Sequence, residues 1–156
     1  MTLASFNAAP ADEAMTEMLA CCASARFARA LTDGRPYPSL IAAQTAVDLI
    51  FESLTWDDVL EAMTEHPRIG ARASGQSATE QSGVADASRA ALIAGNAEYE
   101  DRFDHVFLIC ATGLSGEAML SALRERLKNT EDAERTVASA ELRKITRLRV
   151  GKALAE

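Results

Sequence analysis

From Ser39 to Leu54 the chain places Leu40, Ala43, Val47, Ile50 and Leu54 three and four positions apart. That spacing lines one face of an α-helix and obliges it to pack against another surface. The rest of the chain supplies such surfaces. Residues 11 to about 22 are rich in Ala and Met, and Ser24 is placed to cap a helix through Leu31 that Asp33, Gly34 and Pro36 stop. Thr55 with Asp58 has the spacing of a capping start for "WDDVLEAM", with Val59, Leu60 and Met63 inward. Ser77 with Glu80 opens a helix toward Ile93; Gly95 interrupts it, and "NAEYEDRF" resumes with Tyr99 and Phe103 on one side. "SGEAMLSALRERL" carries Met119, Leu120, Leu123 and Leu127 as a stripe. A last helix from Thr130 toward Leu154 turns Val137, Leu142, Ile145 and Leu148 inward. Only "HVFLICA", residues 105–111, is strand-like, and a run that short suits a buried helix segment or an extended stretch equally. Strands therefore do not alternate with helices, which excludes Rossmann and barrel architectures. The expectation is an all-α, single-domain, irregular bundle of about eight helices over residues 1–156.

A chain of 156 residues suffices for one self-supporting core. Aromatics make up only 5%, so aliphatic side chains and Met must fill that core. The net charge of −7 argues against a nucleic-acid footprint, which needs a dominant basic face. It leaves room for an anionic substrate, because a local Arg pairs at short range while distant charge is screened. Cys21, Cys22 and Cys110 are odd in number, two of them adjacent, which makes a poor disulfide framework. Reduced, buried thiols in a cytoplasmic protein are the preferred reading. No apolar run approaches the roughly 18 residues of a membrane span. The start "MTLASFNAAPADEAM" lacks a basic n-region and a long apolar core, and "GKALAE" carries no peroxisomal address.

The residues that could carry chemistry gather in "HPRIGARASGQSATEQSG", residues 66–83. Pro67 disfavours helical backbone at His66, so His66 sits at a helix exit on a stiff support. It either bonds a last-turn carbonyl or serves as an acid–base group that titrates near neutrality. Glu80 either completes the capping box with Ser77 or faces a ligand beside the free N–H groups of a helix start. Arg68, Arg72, Arg147 and Arg149 read first as solvated charges. Arg149 differs, because it follows Ile145 by four and so lies beside the apolar face. A half-buried Arg needs an acceptor, either Glu141 or a bound carboxylate. Cys110 reads as a packed thiol rather than a nucleophile. His66 and His105 have no spacing that would complete a metal site, so no metal is expected. "GLSG", residues 113–116, is too short for a phosphate loop but lets backbone N–H groups approach a polar ligand.

The pattern "HPRIG…SATEQSG…NAEYEDRF…FLICATG…ERLKN…AELRKITRLRV" resembles the OHCU decarboxylase family, and the likeness runs from "FN" near the start through "RPYPS" to the last arginines. The resemblance implies decarboxylation of 2-oxo-4-hydroxy-4-carboxy-5-ureidoimidazoline, the last intermediate between urate and allantoin. That step follows urate oxidase and 5-hydroxyisourate hydrolase. It also implies an all-α fold, usually a homodimer, with no cofactor; the acidic charge and the lack of a long apolar run add the expectation of no nucleic acid and no membrane. By the same likeness His66 is the catalytic histidine and Glu80 its acidic partner. Pro67, Ser77 and Gln81 would line the pocket. Ile109, Cys110, Ala111 and Gly113 would offer main-chain groups to the ligand, and Arg149 would clamp a substrate carboxylate or ring oxygen. The chain departs from the pattern in two places. Asp104 and His105 follow Phe103 where the family often has Phe-Gly, and the stretch between Gly70 and Ser77 is short.

Two other classes of function fit parts of the sequence. A non-enzymatic helical interaction module would explain the amphipathic helices but not the His-Pro loop joined to a Glu-Gln helix start. A hydrolase using Cys110 or a metal at His105 would have to be abolished by alkylation or chelation.

Overall fold

The computed structural model describes residues 1–66, 68 and 86–156. Eight helices occur among them: α1 (Leu3–Ala8), α2 (Ala11–Cys21), α3 (Ala25–Asp33), α4 (Leu40–Ser53), α5 (Trp56–Met63), α6 (Asp86–Phe103), α7 (Gly116–Arg126) and α8 (Glu131–Ala153). No strand occurs among the described residues, so the fold is all-α as the periodicity requires. The chain forms two compact units, one of residues 1–62 with 143–156 and one of residues 63–142. Helix α8 contributes its first half to the second unit and its second half to the first.

In the first unit, short polar side chains fix the helix starts. Ser24 Oγ accepts the Phe27 N–H at 3.2 Å and Ser39 Oγ accepts the Ala42 N–H at 3.1 Å. Thr55 and Asp58 form the expected reciprocal pair: the Thr55 N–H donates to Asp58 Oδ2 at 2.9 Å and the Asp58 N–H to Thr55 Oγ1 at 3.3 Å. Helix α1 is not evident from periodicity, since its six residues are too short to show one. It starts on a capping box between Thr2 and Ser5, and Leu3 N–H donates to the Leu154 carbonyl at 3.0 Å.

The core of this unit buries Phe6, Ala14, Met18, Phe27, Leu31, Ala43, Val47, Phe51 and Val59. Two expected stripes are corrected. On α4 the buried row is Ala43, Val47 and Phe51, a single i, i+4 ladder, whereas Ile50 and Leu54 are only half-buried. On α8 Leu148 is 42% exposed rather than inward. The buried row there includes Leu142, Thr146 and Val150, and Leu148 lies about half a turn from its last two members. Asp48 of α4 accepts from Arg143 at 3.0 Å and from Arg147 at 2.5 Å, so Arg147 is a helix-to-helix tie rather than a solvated charge.

In the second unit, Leu92, Tyr99, Phe103, Phe107, Ile109, Ala111, Met119 and Leu123 make one apolar cluster. Gly95 does not interrupt α6, which is continuous from Asp86 to Phe103. A Cβ at Gly95 would stand 2.4 Å from Leu123 Cδ2. The glycine lets α7 approach, at a cost of about 1 kcal/mol in helix propensity that the packing offsets. Helix α6 is closed by Asp104, the residue after its end, whose φ of 61° is left-handed and whose N–H donates to the Glu100 carbonyl at 2.8 Å. The run 106–111 that follows is neither a helix segment nor a paired strand.

Candidate functional site

Helix α5 stops at Met63, and the His66 N–H donates to the Met63 carbonyl at 3.0 Å. The histidine thus stands at a helix exit, half-buried, as its proline neighbour dictates. Pro67, Ser77, Glu80 and Gln81 lie outside the described residues. Arg68 fixes the chain just beyond His66. Its Nε donates to Glu100 Oε1 at 2.5 Å and its Nη2 to Oε2 at 3.0 Å, a two-point grip on α6. The paired carboxylate holds the Arg68 guanidinium above its already high range. The sequence marks Arg68 only as a charge; its partner, 32 residues away, is set by the fold.

The other stretch expected to face a ligand is the irregular run ending at Gly113. Ile109 and Ala111 are buried and Cys110 is half-buried. With no ladder to satisfy it, this backbone takes its partners from side chains. Arg126 Nη1 donates to the Leu108 carbonyl at 2.6 Å, and the Cys110 N–H donates to Glu141 Oε1 at 3.2 Å. The Ala111 carbonyl accepts the Leu114 N–H at 3.0 Å. The Ile109 N–H and C=O and the Ala111 N–H meet no partner among the described residues. Gly113 closes the run at φ 80°, with open space where a side chain would stand, so glycine is required by backbone conformation rather than by crowding.

Behind this run lies a polar network whose members are far apart in sequence. Arg126 Nε donates to Glu134 Oε1 at 2.7 Å, the Tyr99 hydroxyl donates to the same oxygen, and Asn129 Nδ2 donates to Oε2 at 3.0 Å. The guanidinium lies over the Phe107 ring, 4.5 Å from its centroid. Glu134 is fully buried and Arg126 nearly so. Burial, reinforced by the carboxylate, pushes the Tyr99 phenol far above its ordinary range. One signal was present in the sequence. Arg126 falls three residues after Leu123 and seven after Met119, on the buried row of α7.

Arg149 belongs to the first unit and is half-buried on the core-facing side of α8. Its charge favours ionisation of Cys21 and Cys22, but burial dominates and pushes those thiols up to about 12 and about 11. Glu141, one acceptor considered for Arg149, directs Oε1 to the Cys110 N–H. His105 places Nδ1 at 3.1 Å from the Val106 carbonyl and its ring edge-on to Tyr99 at 5.4 Å. Among the described residues no three His, Cys, Asp or Glu side chains gather as metal ligands do. The arrangement therefore offers an imidazole at a helix exit and, in the same unit, a strip of backbone held by side chains.

Comparison with known proteins places these features in a family. The model of the OHCU decarboxylase family matches residues 7–151. The uric acid degradation bifunctional protein TTL of Arabidopsis thaliana is 35% identical over 148 residues, covering 87% of this chain. The chain spans about half of that relative, 46% of its length. The 2-oxo-4-hydroxy-4-carboxy-5-ureidoimidazoline decarboxylase of Amia calva is 31% identical over 134 residues, 79% of this chain and 77% of the relative. Among solved structures, an OHCU decarboxylase crystallised in the presence of (S)-allantoin superposes with a TM-score of 0.79 at 36% identity, over 90% of this chain and 98% of that one. An (S)-allantoin synthase superposes with a TM-score of 0.75 at 20% identity, over 99% of this chain and 54% of the other, and shares the fold.

Proposed function

This chain belongs to the OHCU decarboxylase family, and from that premise we propose that it decarboxylates 2-oxo-4-hydroxy-4-carboxy-5-ureidoimidazoline to (S)-allantoin in urate degradation. The observation that carries the reading is the likeness to a decarboxylase solved with (S)-allantoin, which extends over nearly all of both chains. The family match from residue 7 to 151 supports treating the chain as one functional domain.

The chemistry explains why the proposed reaction runs without a cofactor. The carboxylate leaves from a carbon that bears a hydroxyl and adjoins a ring C=N. The electron pair of the broken C–C bond flows into that imine, whose nitrogen takes a proton, so the substrate is its own electron sink. The resulting enol loses its hydroxyl proton as the neighbouring carbon gains one on a single face. Carbon dioxide is lost and one proton is taken up overall.

In this reading His66 contacts the substrate hydroxyl and carries its proton, a contribution of order 10²- to 10⁴-fold. Glu80 binds the ureido N–H groups and fixes orientation. Pro67, Ser77 and Gln81 complete the pocket wall, and the backbone of Ile109, Cys110, Ala111 and Gly113 contributes polar groups. Arg149 holds a substrate oxygen with contact that persists into the transition state, since equal binding of ground and transition states would not raise kcat. The protein acts as a homodimer in the cytoplasm, after urate oxidase and 5-hydroxyisourate hydrolase.

The test couples those two enzymes to this protein and follows the circular dichroism of the product. Spontaneous decay gives racemic allantoin, whereas the proposed activity gives one enantiomer. A racemic product at the spontaneous rate would overturn the reading.

A further inference from the structure

We propose that Arg126 and Glu141, with Glu134 and Tyr99 behind Arg126, are positioning residues that hold backbone 108–111 in the register in which Ile109 and Ala111 present their peptide groups to the ligand. The proposal rests on the decarboxylase reading above and adds residues that touch no substrate. The two grips fall two residues apart, on the Leu108 carbonyl and on the Cys110 N–H. They come from different helices, α7 and α8, so together they fix both the position and the tilt of the peptides between them. The groups left over include the Leu108 N–H and, between and beyond the two grips, the Ile109 N–H and C=O and the Ala111 N–H, which meet nothing among the described residues although all three residues are buried. Buried backbone polar groups nearly always have partners. A polar ligand with amide and carbonyl groups of its own is a fitting one.

The network also makes little sense as a source of stability alone. A buried ion pair is commonly no more stabilising than apolar side chains of the same volume, and its best-attested use is to specify one arrangement. Glu134 receives Arg126, Tyr99 and Asn129 together, so the guanidinium cannot rotate away from the Leu108 carbonyl without breaking several bonds. Arg126→Lys keeps the charge but replaces the planar fork with a single ammonium, which cannot hold Glu134 and Leu108 in the same geometry. Glu141→Gln keeps an acceptor for the Cys110 N–H, whereas Glu141→Ala removes it.

The experiment measures kcat and KM in the coupled assay for the full chain and for R126K, E141A, E141Q and Y99F. Urea unfolding and near-ultraviolet circular dichroism establish which variants are folded. Folded R126K and E141A are expected to lose about 10- to 100-fold in kcat/KM, with E141Q restoring most of the loss. A further arm follows backbone ¹H–¹⁵N signals on adding (S)-allantoin. The Ile109 and Ala111 signals shift in the wild type and in E141Q, and shift less in R126K, E141A and Y99F. Should R126K or E141A unfold, Y99F carries the test through these same amide shifts, with E141Q as its wild-type-like control. R126K and E141A that are folded, less stable and as active as wild type would overturn the positioning role. So would a wild type that is active yet shows no shift at Ile109 or Ala111. An inactive wild type would instead remove the decarboxylase reading, which keeps the two failures distinct.

Discussion

The guanidinium of Arg68 meets the carboxylate of Glu100 through two nitrogens, at 2.5 and 3.0 Å, and thereby ties the chain beyond His66 to the body of α6. The pair is largely exposed, with 59% of the Arg68 side chain accessible, so its contribution to global stability is small and screened by salt. Its value is local, because two parallel bonds fix direction as well as distance. Arg68→Ala is expected to leave the urea midpoint near that of wild type and to lower kcat/KM about 10-fold, through a looser His66. The charge-swapped pair Arg68→Glu with Glu100→Arg should recover part of the loss, and raised salt should weaken the wild type toward the single variants. Full activity in Arg68→Ala would show that the histidine needs no such anchor.

Asp104 occupies a left-handed backbone position, φ 61°, immediately after α6. Among residues with a side chain, Asp and Asn are the ones that adopt this conformation most readily, and glycine adopts it without steric cost. The departure from the family's Phe-Gly pair is therefore conservative in backbone terms. Asp104→Gly is expected to stabilise the protein by up to about 1 kcal/mol, and Asp104→Val to destabilise it by a similar amount or more. Urea unfolding of the two variants gives the ordering directly. An Asp104→Gly variant weaker than wild type would mean that the aspartate side chain makes a contribution larger than its backbone strain.

The elements legible in the sequence were those fixed by local rules. Ser24, Ser39 and the Thr55–Asp58 pair announced their helices because capping satisfies free N–H groups over three residues. The helix exit at His66 followed from Pro67. Gly95 reads locally as a break, whereas the gain from close approach to Leu123 lies 28 residues downstream and outweighs a local propensity of about 1 kcal/mol. Leu148 and Ile50 were placed inward because a stripe 100° wide has edges, and only the neighbouring helices decide which edge residues are covered.

In the candidate site the same division holds. His66 and Arg149 could be singled out from their neighbours in sequence. Arg126, Glu134 and Arg68 could not be assigned roles, because their meaning is a long-range partner: a carbonyl 18 residues away, a phenol 35 away, a carboxylate 32 away. The run 106–111 was ambiguous because its apolar residues fill a core while its backbone is tied by side chains, a combination with no period.

His66→Ala is expected to lower kcat by about 10²- to 10⁴-fold, the range for loss of a general acid–base group. The backbone bond from His66 N–H to the Met63 carbonyl survives the substitution, and urea unfolding separates any loss of stability from the loss of turnover. The measurement is single-turnover decarboxylation with product chirality read by circular dichroism. If turnover stays near wild type and the product stays one enantiomer, the proton is handled elsewhere.

The buried thiols make a prediction about alkaline stability. Burial pushes Cys21 up to about 12 and Cys22 up to about 11, against an unfolded value near 8.5. Below about pH 8 both folded and unfolded chains keep these protons, and the thiols add no pH dependence. Between about pH 9 and pH 11 the unfolded chain releases protons that the folded chain retains. The unfolded state then binds fewer protons, and stability falls as pH rises, by up to about 1.4 kcal/mol per pH unit for each thiol. Tyr99 and Tyr37, also raised by burial, act in the same direction as pH approaches 10, so the cysteine share is read as the difference between variant and wild type from pH 9 to pH 10. The variant carrying both Cys21→Ala and Cys22→Ala should start less stable at pH 8, from lost packing, and decline less steeply through that interval. Urea midpoints at half-unit steps test this, and parallel curves for variant and wild type would show that the thiols ionise alike in both states.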